Sequence, residues 1–116
     1  MLRLIMRRGP TPGAIYELSA DTYSIGRGSK NDIVIRDNDV SRDHCRLHRL
    51  VEDDEVQDLQ SSTGTYVNGQ RVVNKFMLQS GSILELGDMV TFECVRVAEE
   101  VTPGRGSAPI ADLFPL

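Results

Sequence analysis

Hydrophobic and polar positions alternate in short runs along most of the chain, and the runs are cut at close intervals by Gly, Asn, Asp and Ser. The segments "LRLIMRR", "AIYEL", "TYSIG", "DIVI", "HCRLHRL", "EVQDL", "TYVNG", "RVV", "FML", "SILEL" and "DMVTFECVRV" each read as a strand. In "HCRLHRLV", Cys45, Leu47 and Val51 are expected on a buried face opposite Arg46, His48 and Arg49. No stretch of a dozen residues carries sustained helical periodicity. The Asn-Gly pair of "VNGQRV" marks a tight hairpin, and the glycines of "LQSGSILELGD" mark two further turns. Many short strands with turn signals between them predict an all-β sandwich of two antiparallel sheets. From Glu99 the text changes to "EEVTPGRGSAPIADLFPL", without alternation and rich in Pro and Gly. The expected organisation is therefore one domain over residues 1–98 and a flexible tail or linker over 99–116.

A chain of 116 residues suits one core and leaves little room for a second. Hydrophobic residues make up 40% and charged residues 26%, ordinary for a globular protein, and no apolar run is long enough to span a bilayer. The N-terminal "MLRLIMRRGP" has too short an apolar stretch for a secretory signal, so a cytoplasmic location is the expectation. Cys45 and Cys94 lie in alternating apolar segments without CxxC spacing and are read as buried core residues. The formal net charge of −4 argues against a nucleic-acid partner. Its distribution is uneven, however: Arg27, Lys30, Arg36, Arg42, Arg46 and Arg49 crowd one stretch, whereas "EDDEVQD" is acidic throughout.

The segment "DNDVSRD" places oxygen-bearing side chains at every second position, Asp37, Asp39, Ser41 and Asp43, as a calcium loop does. Such a loop also needs a glycine at its sixth position and a glutamate at its twelfth, and here those are Arg42 and His48. A calcium-binding loop is thus a remote alternative. Ser41, Asp43 and His44 have the composition of a hydrolytic relay, but near neighbours in one loop seldom line up in the chain of hydrogen bonds that a relay requires. "GRGSKND" lacks the spacing of a nucleotide-binding P-loop.

Read together, "SIGRGSKNDIVI", "DVSRDHCRL" and "DLQSSTGTYVNG" resemble the signature of the forkhead-associated (FHA) domain over about Tyr16 to Val97: Gly-Arg, then Ser-x-x-His, then a hydroxyl-rich turn ending Gly-Thr and leading to Asn-Gly. The resemblance implies an eleven-stranded β-sandwich whose loops at one end bind phosphothreonine-containing segments, without catalysis and without metal or cofactor. It implies that Arg27 reaches the phosphate, that Ser41 offers its hydroxyl and backbone amide, and that Arg42 and Ser62 add contacts. Thr63 stands where an asparagine often grips the peptide backbone, and a hydroxyl reaches less far than an amide. His44, Gly26, Gly64, Asn68 and Gly69 are implied to shape the loops. The implied partner is a phosphothreonine-bearing substrate of a Ser/Thr kinase, met by a monomer or by the N-terminal module of a larger protein. The alternative of another class is a phosphorylation-independent interaction domain of the same fold. Thr102, after "EEV", is a candidate regulatory phosphosite.

Overall fold

Leu2, Leu4 and Met6 are buried while Arg3 and Ile5 between them are partly exposed, so the alternation in the first segment has one consequence: a strand with one face inward. The computed structural model describes residues 1–51 and 53–97, and in it that segment is β1 (Leu2–Arg8). Ten more strands follow: β2 (Ile15–Leu18), β3 (Thr22–Gly26), β4 (Ile33–Val34), β5 (Cys45–Arg49), β6 (Asp54–Asp58), β7 (Thr65–Val67), β8 (Gln70–Arg71), β9 (Lys75–Leu78), β10 (Ile83–Leu86) and β11 (Val90–Arg96). They form a six-stranded sheet in the order β2-β1-β11-β10-β7-β8 and a five-stranded sheet in the order β4-β3-β5-β6-β9. The expected tail, Thr102 included, lies outside the described residues.

The inward rows of the two sheets meet in one core. Leu4, Met6, Leu84, Leu86, Val90 and Phe92 come from the first sheet, and Ile25, Leu47, Val56 and Leu78 from the second. Tyr16 closes one flank with its ring edge-on to Phe92, centroids 6.0 Å apart. Cys45 and Cys94 are free thiols with no exposed surface, as the alternation predicts, and burial pushes the Cys94 thiol up to about 12. No helix among the described residues is long and apolar enough to cross a membrane.

Two expectations need correction. The sheets are not wholly antiparallel, because β3 and β4 run parallel with Ile25 opposite Ile33 and Gly26 opposite Val34. A parallel pair normally needs a long crossover. Here β4 is only two residues long, and the short link 27–32 is drawn back by Asp32, whose carboxylate accepts the Ser24 amide at 2.9 Å while its own amide donates to Ser24 Oγ at 3.0 Å. Val51 is not on the buried face of β5. The strand ends at Arg49, the Leu50 amide turns back to Asp53 O at 2.8 Å, and Val51 stands 98% exposed in the turn.

Candidate functional site

Three loops meet beyond the ends of β3, β4 and β6, and main-chain hydrogen bonds tie them together. The Arg27 amide donates to Ser41 O at 2.9 Å and the Gly28 amide to Arg42 O at 3.1 Å, so two successive main-chain bonds hold the β3–β4 and β4–β5 loops together. Gly26 permits this approach, since a Cβ there would lie 2.2 Å from Arg42 O. Asn31, buried, clamps the same junction with its amide nitrogen 2.9 Å from Gly28 O and 2.7 Å from Arg42 O.

His44 joins this pair to the β6–β7 loop. It has no exposed surface. The Ser41 amide can only donate, so Nδ1, 3.0 Å away, accepts, and Nε2 carries the proton that it donates to Gly64 O at 2.9 Å. Burial lowers the His44 pKa below its ordinary value, against the smaller opposing effects of the Gly64 hydrogen bond and of Asp58 and Asp39. Gly64 has φ +95, a conformation that suits glycine, and its carbonyl also accepts the Gly87 amide at 2.8 Å. Asp58 shapes the turn before it. Its Oδ1 accepts Ser61 Oγ at 2.6 Å and Thr65 Oγ1 at 2.7 Å, and Ser61 Oγ in turn accepts the Gly64 amide at 3.1 Å.

On this frame Ser41 and Ser62 face each other. Their hydroxyl oxygens are 3.1 Å apart, and the Ser62 amide donates to Ser41 Oγ at 3.0 Å. Arg27 is exposed, its amide bonded to Ser41 O and its Nε anchored to Val40 O at 3.0 Å, and neither Nη group has a hydrogen-bond partner among the described residues. Arg42 is exposed as well. Its stem crosses Gly28, where a Cβ would come within 2.7 Å of Arg42 Cγ, and it lines a cleft with Gly28, Ser29, Lys30 and Asp43.

Several sequence expectations are redrawn by this geometry. The Ser41 amide is engaged by His44, so the hydroxyl is the group that Ser41 presents. Thr63 donates its hydroxyl to Asp39 O at 2.6 Å, a loop-bracing contact. Asn68 and Gly69 lie at the other end of β7 from Gly64, where their positive φ values form the β7–β8 turn and Asn68 Oδ1 accepts the Ile83 amide at 2.8 Å. The structure does not bring these two to the serine pair. The alternation of "DNDVSRD" also has its explanation: Asp37 Oδ1 accepts the Asp39 amide at 2.8 Å, and Asp39 Oδ2 receives the amides of Asp88 and, at 3.1 Å, Met89. These acids cap backbone donors on separate loops. Among the described residues no group of three or more His, Cys, Asp and Glu side chains is arranged to hold a metal. Asn31, Asp39, Asp58 and Ser61 are the positioning residues that sequence reasoning missed. Only Asp58 carried a local signal, an Asp three residues before a Ser at a strand end.

Comparison with protein families matches the FHA domain over residues 23–87, which takes in all but the first residue of β3, the whole of β4 to β10 and the three loops of the site. The chain belongs to the FHA family. FHA relatives agree in sequence and in fold. The oxoglutarate dehydrogenase inhibitor of Corynebacterium diphtheriae is 38% identical over 84 residues, covering 72% of this chain and 58% of that protein. The chain thus corresponds to little more than half the length of that relative. The solution structure of the FHA domain of an Arabidopsis thaliana hypothetical protein superposes with a TM-score of 0.79 at 27% identity, over 88% of this chain and 90% of that one. EmbR of Mycobacterium tuberculosis, solved in complex with a low affinity phosphopeptide, superposes with a TM-score of 0.71 at 27% identity, over 84% of this chain and 25% of that one.

Proposed function

We propose that this domain is a phosphothreonine-peptide reader of Ser/Thr-kinase signalling, acting as a binding module in the cytoplasm without catalysis or cofactor. The observation that carries this is the Arg27 guanidinium, anchored to Val40 O and unpartnered at its Nη groups among the described residues, on a residue whose amide bonds Ser41 O, while the Ser41 hydroxyl pairs with that of Ser62. A guanidinium offers forked donors matched to phosphate oxygens, and two hydroxyls that now bond each other rotate toward an entering anion without loop movement. Phosphothreonine carries about −1.5 to −2 charges at neutral pH, so phosphorylation creates the ligand. Family membership and the phosphopeptide complex of EmbR support the reading. A hydrolytic role for Ser41 is disfavoured, because both His44 nitrogens serve backbone groups and neither meets the Ser41 hydroxyl.

Calorimetry with matched phosphothreonine and threonine peptides tests the proposal. The phosphorylated forms are expected to bind at least about tenfold more tightly, a difference of roughly 1.4 kcal/mol. Arg27→Ala is expected to remove most of that binding while leaving the thermal midpoint within a few degrees, since Arg27 is exposed and outside the core. Equal affinity for both peptides would favour a phosphorylation-independent interaction domain.

A further inference from the structure

The phosphate is not the only anion for which this end of the molecule has donors. The cleft lined by Gly28, Ser29, Lys30, Arg42 and Asp43 adjoins the serine pair, because its walls are the residues that directly follow Arg27 and Ser41, and main-chain bonds join Arg27 to Ser41 and Gly28 to Arg42. The Arg42 stem crosses Gly28 and enters this cleft. The walls are stiff: Asn31 pins both carbonyls at the junction, and the Gly28 amide is bonded to Arg42 O.

Among the described residues the cations in the cleft have no ion-pair partner. The ion pairs of the described residues engage Arg3, Arg7 and Arg96, and none engages Lys30 or Arg42. Asp43 lines the same cleft without pairing with either. Two exposed cations and the Ser29 hydroxyl thus face one concavity on a molecule whose net charge is −4. Screening over about 10 Å confines the influence of the distant acids.

We infer that Lys30, Arg42 and Ser29 form a second anionic subsite, which receives a carboxylate or a second phosphate a few residues from the phosphothreonine on the same peptide. The inference rests on the phosphothreonine reading and adds its selectivity: the preferred partners carry an acidic or doubly phosphorylated stretch. Lys30 is the specificity-determining residue, because Arg42 is also close to the primary site while Lys30 belongs to the cleft alone.

The test uses the full chain and a nine-residue Ala/Gly/Ser peptide with central phosphothreonine, in which Glu or Gln is placed at each flanking position in turn. Affinities come from fluorescence anisotropy. At one or two positions Glu is expected to bind about three- to tenfold more tightly than Gln. Lys30→Gln brings that ratio toward one, and Lys30→Glu inverts it so that a Lys at the same position is preferred. A parallel series with phosphoserine distinguishes the sources: a gain with phosphoserine alone assigns the subsite to a second phosphate. A ratio near one at every position in both series, or a preference that survives Lys30→Gln and Lys30→Glu, overturns the inference while phosphate-dependent binding stands. Equal binding of the threonine and phosphothreonine forms overturns both.

Discussion

His44 has two nitrogens and both are committed to backbone, one accepting the Ser41 amide and the other donating to Gly64 O. Replacing it with Ala leaves the Ser41 amide without its acceptor, takes one of the two donors from Gly64 O, which keeps the Gly87 amide, and opens a cavity. We expect His44→Ala to lower stability by about 2–4 kcal/mol and to loosen both loops together, measured by urea unfolding and by peptide affinity. The imidazole also sets a pH dependence. Its folded pKa lies below the ordinary 6.5, so the unfolded chain binds the extra proton first as pH falls. The stability it contributes is therefore full above about pH 6.5 and is lost progressively as pH falls toward and through the lowered folded value. Urea midpoints should decline between pH 7.5 and 5.5 in the native protein, and decline less in His44→Ala.

The elements were largely legible in the sequence and the loop network was not. Alternation located β1 and β3 to the residue, because one buried face per strand leaves a period-two trace. It began β8 one residue late and ended it two late, and gave no hint that β4 runs parallel, since a two-residue strand is too short to carry a period. The exchange between Asp39 and the Asp88 amide spans 49 positions, and nothing local to either residue announces it. That contact supports a prediction for one loop. Asp39→Ala should speed amide hydrogen exchange at Asp88 and Met89 by about tenfold or more while leaving β5 and β11 protected. Gly26→Ala acts on the neighbouring pair of loops. Its methyl meets the Arg42 carbonyl, so it is expected to cost about 2 kcal/mol or more and to abolish tight phosphopeptide binding.

Across the whole molecule the two sheets share one core, and the buried thiols are its reporters. Cys45 sits in the five-stranded sheet and Cys94 in the six-stranded one, both without exposed surface. With their pKa values raised by burial, neither should react with a thiol reagent until the sheets part. Labelling is expected to track global unfolding in a urea series, and fast labelling in buffer would mean that the sandwich opens below the global transition. The binding end joins the same sheets by a different means. Carbonyl oxygens of Asp39, Val40, Ser41, Arg42 and Gly64 receive many of the bonds that shape it. A carbonyl is supplied by any residue type, so the side chains at Ser29, Lys30 and Asp43 are at liberty to change without disturbing the frame. Libraries randomised at those three positions should therefore yield folded domains at high frequency, each reading a different sequence around the same phosphate, and a lineage could retarget its partners by the same route.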